Sequence, residues 1–336
     1  MKARIRPKTE IWERQELGKV LPLDTPFRIM IEPAAFCNLN CNFCPHMDTN
    51  ILKSANVPQG FLDYSLFQKI IDDISVMPSK VRKLGLCGIG EPMLNKNLAN
   101  MIAYATQKNK FGGIDLFTNG LLLNPETNRA LVNAGLTFIN ISINGLTDVD
   151  YLQTCGKKVD VEKMRKNIID LYEHKGNLRI YIKTVDDGSL SEKSKQRFFE
   201  MFGDYCDDIF IENLKAEAWP GIDFPNLKSD ALDIFGRKSG VQKICPWPFY
   251  YVQITWDGIV LPCCGDWKRS YPIGDLKTKS FSEIWNGEEM KQMRIMQLKG
   301  QKHRSALCRD CIKFNVTITD NLDPYAEELL EKYEKL

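Results

Sequence analysis

The sequence lacks the marks of several protein classes at once. Residues Met1 to Arg14 carry charges throughout and contain no apolar stretch, so no secretory signal is read there and a cytoplasmic location is expected. An uncharged stretch does run between Arg129 and Asp148, but it holds Asn133, Gly135, Asn140, Asn144 and Gly145, which hydrocarbon would penalise, so no membrane partner is expected. Neither charge sign dominates: 45 Lys and Arg face 43 Asp and Glu, a net charge of +2, which gives no reason to expect nucleic acid as a partner. There is no tandem repeat and no low-complexity segment. With 336 residues, 43% hydrophobic and 26% charged, the chain has enough length and apolar content for one or two sizeable cores, which excludes a disulfide-stapled mini-protein. What the chain has in excess is cysteine. Eleven thiols in a reducing compartment point to metal or cluster ligation rather than disulfides.

Hydrophobic periodicity organises the first two thirds of the chain into alternating strands and helices. Strands are predicted at Phe27–Glu32, Val81–Cys87, Gly113–Phe117, Thr137–Ile143, Leu178–Thr184 and Asp208–Glu212. The intervening helices are predicted at Tyr64–Ser75, Leu98–Gln107, Pro125–Ala134, Val161–Tyr172 and Ser194–Phe202. About six β/α alternations predict an α/β fold with a parallel sheet buried on both faces, an open or partial barrel. A stretch rich in Pro, Gly and Asp from Trp219 to Gly240 reads as a linker. The expected organisation is a leader over 1–26, a barrel over 27–235, a small domain over 236–322 and a terminal helix over 323–336. In the small domain, Trp256-Asp257-Gly258 signals a hairpin between Phe249–Thr255 and Ile259–Pro262, and helices are predicted near Phe281–Trp285, Glu288–Gln297 and Tyr325–Tyr333.

Cys37, Cys41 and Cys44 stand within eight residues on the loop after the first strand. Such spacing lets one loop hold three corners of an iron–sulfur cube and leave one iron open, although zinc with His46 as a fourth ligand fits the triplet as well. The loop resembles that of the radical S-adenosylmethionine (SAM) enzymes in spacing and in position after the first barrel strand. The resemblance implies a partial (βα)6 TIM-like barrel and a 4Fe-4S cluster whose open iron chelates the SAM methionine moiety. Reductive cleavage of SAM then yields a 5′-deoxyadenosyl radical. It also makes Phe43 an adenine contact.

Gly88-Ile89-Gly90-Glu91-Pro92 follows the second strand, where small residues permit close backbone approach and Glu91 offers an acceptor for an ammonium group. It resembles the Gly-Gly-Glu-Pro motif of the same family, with Ile89 in place of one glycine, and so assigns Gly88, Gly90, Glu91 and Pro92 to the SAM amino group. The resemblance implies a ribose contact at the end of the fourth strand, for which Ser142 and Asn144 are the candidates; an ordinary Asn-Gly turn is the alternative. Lys183, unusual in a buried strand, is a candidate partner of the SAM carboxylate or an exposed edge lysine.

Cys245, Gly258, Cys263, Cys308 and Cys311 form a second constellation that four-thiolate cluster or zinc-ribbon chemistry could use. Its Cys-Gly-Cys portion resembles the SPASM/Twitch auxiliary-cluster domains that follow radical SAM barrels. The cysteines that would complete a second auxiliary cluster are absent from Lys313–Asp320, so one auxiliary 4Fe-4S cluster is expected. This shortened pattern is similar to that of the 2-deoxy-scyllo-inosamine dehydrogenase-like carbohydrate and aminocyclitol enzymes. The implied function is hydrogen abstraction from a small polar substrate, a sugar or aminocyclitol, ending in oxidation or epimerisation, with electrons from a flavodoxin- or ferredoxin-type reductant. Cys155 and Cys264 are candidate hydrogen-atom donors. Two alternatives stand beside this reading: modification of a ribosomally made peptide, and a zinc-stabilised binding protein without redox chemistry.

Overall fold

The computed structural model describes every residue except 13–14, 216, 218, 223, 225–231, 239 and 318–319, so the linker expected across Trp219 to Gly240 lies partly outside the described residues. The strands are β1 (Arg4–Ile5), β2 (Arg28–Ile31), β3 (Lys83–Leu86), β4 (Ile114–Thr118), β5 (Phe138–Ser142), β6 (Arg179–Asp186), β7 (Asp208–Asn213), β8 (Tyr251–Ile254), β9 (Ile259–Leu261) and β10 (Gly274–Asp275). They form one sheet in the order β1-β7-β6-β5-β4-β3-β2-β8-β9-β10. From β2 to β7 each strand pairs in parallel with the next, so the expected six-stranded partial barrel is present.

The helices are α1 (Thr49–Ser54), α2 (Tyr64–Ser75), α3 (Leu98–Gln107), α4 (Pro125–Asn133), α5 (Asp148–Cys155), α6 (Val161–Glu173), α7 (Glu192–Phe202), α8 (Trp247–Tyr250), α9 (Phe281–Trp285), α10 (Glu288–Leu298), α11 (Lys313–Val316) and α12 (Ala326–Lys335). Local chemistry sets their starts. Asp63 accepts the Ser65 and Leu66 amides at the head of α2, which buries Phe67, Ile70, Ile71 and Ile74, and an Asn124/Thr127 capping box with Pro125 opens α4.

The strands alternate more than a sheet buried on both faces requires. Ile29, Ile31, Leu84, Leu86, Leu116, Ile139, Ile141, Ile180 and Ile182 belong to the apolar core, whereas Arg28, Met30, Glu32, Phe117, Ser142 and Lys183 line a cavity inside the barrel. Period-two alternation thus separates a structural face from a chemical one.

Three features depart from expectation. The N-terminal segment is not a bare leader. Its β1 pairs with β7, Arg6 bonds the fully buried Asp208 at 2.7 Å, and Trp12 packs edge-on against Phe138 at 5.0 Å, closing the amino end of the barrel. Secondly, α5 was not predicted, because its apolar Val149 and Leu152 face solvent and leave no amphipathic stripe. It buries Tyr151 and Cys155 instead and ends at the left-handed Gly156. Thirdly, the C-terminal hairpin forms around Gly258 (φ 88°) as expected, but β8 pairs in parallel with β2, so the small domain continues the barrel sheet. Leu17 and Leu21 near the start, Phe249 and Leu298, and Leu329 and Tyr333 of α12 share a second core.

Candidate active site

The loop after β2 carries Cys37, Cys41 and Cys44 to one cleft of about 210 Å³ at the carboxyl end of the barrel strands. Its backbone is tied to the end of α5: Asn40 N–H donates to the Cys155 carbonyl at 3.0 Å and Asn42 N–H to that of Thr154 at 2.9 Å. The cleft also takes in Phe43, Gly90, Glu91, Ser142, Asn144 and Lys183, so most of the residues assigned to SAM by resemblance meet beside the three thiols. Asn144 Nδ2 lies 3.6 Å from Cys41 Sγ. Burial pushes the Cys37 thiol up to about 11 and that of Cys44 to about 12, so an electropositive ligand is needed to hold them as thiolates at neutral pH. His46 is buried, does not line this cleft and leaves Nε2 unpartnered.

Glu91 is held by the fold before any ligand arrives. Its carboxylate accepts from the Met93 amide at 3.0 Å, the Thr118 hydroxyl at 2.7 Å and the Asn119 amide at 2.8 Å, and burial raises its pKa. One oxygen carries two of these bonds and the other only one, which leaves acceptor capacity for an ammonium group. The flanking glycines are required by close approach. A Cβ on Gly90 would sit 2.4 Å from the carbonyl oxygens of Ala34 and Phe36, and one on Gly88 would sit 2.2 Å from Glu32 Oε1. Ile89 takes the tolerant position of the motif, its amide donating to Glu32 at 2.8 Å. Pro92 is buried at the start of the short 3-10 turn that follows.

Cys245, Cys263, Cys308 and Cys311 come together around a narrow gap lined also by Met293, Gln297 and Phe314. Gln297 joins two of them: its Oε1 accepts from the Cys245 amide at 3.3 Å and its Nε2 donates to Cys308 Sγ at 3.3 Å. Among the described residues no three His, Cys, Asp or Glu side chains converge on a single ion position.

Between the two cysteine sets lies a cavity of about 520 Å³. Gly88, Ile89, Ser142 and Lys183 reach it from the SAM side, and Cys263 and Cys264 from the other. Its walls include Trp219, Trp247, Trp267 and Tyr250. Among the charged groups there that the sequence reading missed are Glu32, Arg269 and Lys8. Glu32 caps β2, accepts from Ile89 and Trp256, and is raised by burial to about 7. Arg269 holds Asp257 through two 2.9 Å contacts, and its Nη2, without a hydrogen bond, approaches the Glu32 carboxylate at 3.7 Å. Lys8 enters from the N-terminal segment. A charged residue at the carboxyl end of the first barrel strand was the available signal for Glu32; nothing in the sequence pointed to Lys8.

Two assignments change. Cys155 is fully buried behind the cysteine loop, its Sγ 3.3 Å from Cys41 Sγ, and does not reach the cavity, so it is not placed to donate hydrogen to a substrate. Cys264 does line the cavity. Lys183 is neither an edge lysine nor free, since its ammonium pairs with Glu212 at 2.5 Å.

Residues 31–186 match the radical SAM superfamily, and residues 245–312 match SPASM, an iron–sulfur cluster-binding domain. The chain carries a radical SAM domain followed by a C-terminal SPASM domain, and it is an enzyme. Its cofactors are those of the class: SAM, a 4Fe-4S cluster in the barrel and auxiliary iron–sulfur ligation in the SPASM domain. These two domains set aside the zinc-stabilised binding-protein reading. More particularly, the chain is 23% identical to the tungsten-containing aldehyde ferredoxin oxidoreductase cofactor-modifying protein of Pyrococcus furiosus, over 84% of this chain and 86% of that one. It is 21% identical to the SAM-dependent 2-deoxy-scyllo-inosamine dehydrogenase of Niallia circulans, over 88% and 96%. The crystal structure of BtrN in complex with AdoMet and 2-DOIA superposes with a TM-score of 0.56 at 19% identity, covering 88% of this chain and 96% of that one, which shows a shared fold. No helix among the described residues is long and apolar enough to cross a membrane.

Proposed function

We propose that the enzyme oxidises a hydroxyl-bearing carbon of a small polar substrate of the sugar or aminocyclitol class. The observation that carries this reading is the shared cavity, whose walls belong on one side to the SAM pocket and on the other to the auxiliary cysteines. A volume of about 520 Å³ suits a monosaccharide-sized ligand, and Trp and Tyr faces interleaved with charged groups suit a ring that is apolar on its faces and polar at its rim. In this reading Cys37, Cys41 and Cys44 hold the SAM-binding cluster, while Cys245, Cys263, Cys308 and Cys311 hold one auxiliary cluster. When bound, SAM and its cluster supply the radical that abstracts hydrogen from substrate carbon. Everything else falls to the chain. Glu91 orients the ammonium end of SAM, the aromatic walls keep water from the reacting carbon, and Glu32 takes the hydroxyl proton as the carbon becomes a carbonyl. The remaining electron leaves toward the auxiliary site beside Cys263. A flavodoxin- or ferredoxin-type protein supplies the reducing electron to the barrel cluster.

Anaerobic turnover in deuterated buffer tests this. A product two hydrogens lighter than substrate, formed with 5′-deoxyadenosine, is expected. A product of substrate mass carrying one solvent deuteron identifies an epimerase and makes Cys264 the leading hydrogen donor. A peptide substrate is supported by fold likeness alone.

A further inference from the structure

Among the described residues, one cation of the cavity has no carboxylate at ion-pair distance. Lys8 reaches the barrel interior from the N-terminal segment, and its ammonium stands 4.7 Å above the ring of Phe117 on β4. Two of the other cations that line the same cavity each have a carboxylate: Arg28 on β2 pairs with Asp115 at 3.3 Å, and Lys183 on β6 pairs with Glu212 on β7. Asp115 is further committed to Lys83 on β3 at 3.1 Å. Lys8 has no carboxylate within ion-pair distance among the described residues. Removal from water lowers its pKa to about 8; Arg28 and Lys183 push it the same way, while Glu212 and Cys87, just after β3, act against them. On the opposite wall Arg269 is paired with Asp257 at 2.9 Å and approaches the Glu32 carboxylate at 3.7 Å.

A desolvated ammonium that rests on an aromatic ring without a carboxylate beside it is an arrangement that a bound anion would stabilise. We propose that the substrate carries an anionic oxygen group, phosphoryl or carboxylate, and that Lys8 binds it at the inner end of the cavity. This rests on the reading of that cavity as the substrate site and narrows it to acidic or phosphorylated sugars and cyclitols, against free amines. The N-terminal segment thereby acquires a recognition role besides closing the barrel, because the same residues that pack Trp12 on Phe138 deliver Lys8.

The test is binding rather than turnover, using reconstituted holoenzyme with SAM and three probes: D-glucose, D-glucose 6-phosphate and D-glucuronate. Titration calorimetry should show at least one anionic probe binding tenfold or more tightly than glucose. Lys8→Met, which keeps the stem over Phe117, should erase that preference, and Lys8→Arg should retain most of it. In the wild type the preference should shrink as pH rises through the range where Lys8 loses its proton, and in Lys8→Met it should not. Which anion gains tells phosphate recognition from carboxylate recognition. If neither anion is preferred, or the preference survives Lys8→Met in protein with unchanged thermal unfolding, the inference is overturned. The two readings separate cleanly. Anion binding through Lys8 without an oxidised product leaves this inference standing and removes the dehydrogenase, whereas an oxidised product without charge preference does the reverse.

Discussion

Replacing Glu91 by Gln probes the candidate SAM pocket more sharply than any other single change, because the proposed pocket gives the carboxylate two separable jobs. It accepts three hydrogen bonds from Met93, Thr118 and Asn119, and one oxygen retains capacity for the ammonium of SAM. In Gln one of the two positions becomes an NH2 group. Whichever way the amide is turned, that NH2 faces at least one donor that the carboxylate accepted, so at least one hydrogen bond to a charged group is lost, worth about 1.5–3 kcal/mol. Part of this appears without ligand, as a lowered thermal midpoint. The rest appears in SAM affinity: losing one charge-assisted bond of about 2 kcal/mol corresponds to about 30-fold in Kd. Equilibrium dialysis with labelled SAM on anaerobically reconstituted protein measures the second effect, and iron content shows that the clusters persist. Thr118→Val serves as the comparison, because it removes one donor and leaves the charge, so it should weaken SAM binding far less. The pH dependence has a fixed sign. Burial raises the Glu91 pKa, so SAM affinity in the wild type should fall as acidification protonates the carboxylate, and in Glu91→Gln this dependence should vanish. A Glu91→Gln protein that binds SAM within twofold of wild type, at an unchanged midpoint, would refute the pocket.

Further outcomes are expected elsewhere. Reconstitution should yield about eight iron atoms per chain, and a Cys37/Cys41/Cys44→Ala variant should keep about half of them while losing all 5′-deoxyadenosine formation; surviving cleavage would move the SAM cluster to other ligands. Glu32 should give turnover a rising limb near pH 7, where its proton leaves, and Glu32→Gln should slow product formation and flatten that limb without abolishing SAM cleavage. Cys308→Ala with Cys311→Ala should leave SAM cleavage detectable and suppress the oxidised product in protein whose circular dichroism is unchanged. Wild-type product formation there would make the auxiliary cluster structural.

The barrel was legible because strand and helix periods are strong and caps such as Asp63 and Asn124 are local signals. The cysteines were legible because ligation depends on residue type and spacing. What escaped depended on tertiary placement. Cys155 sits at the end of a helix whose apolar residues face solvent, so its burial against Cys41 was invisible from pattern. Lys183 looked anomalous in a strand, and the reason, its pairing with Glu212 one strand away, needed the register. Lys8 lay in a segment with no periodicity, because its place is set by the packing of Trp12 and the pairing of β1 rather than by any repeat.

The sheet order bears on how the two cysteine sets work together. Pairing of β8 with β2, from Arg28 against Tyr251 to Ile31 against Ile254, places the strand that follows Cys245 beside the strand that leads to Cys37, and β9, which leads to Cys263, lies on the far side of β8. Glu32 extends this junction: its carboxylate accepts from Ile89 beside the SAM motif and from Trp256 in the hairpin turn, and it approaches Arg269 beyond Cys264. The separation of the two sites is therefore set by backbone hydrogen bonds within one sheet and does not depend on a linker. Electron transfer across the cavity needs such a fixed spacing. A substitution that loosened the junction, with every cysteine intact, would be expected to uncouple SAM cleavage from substrate oxidation.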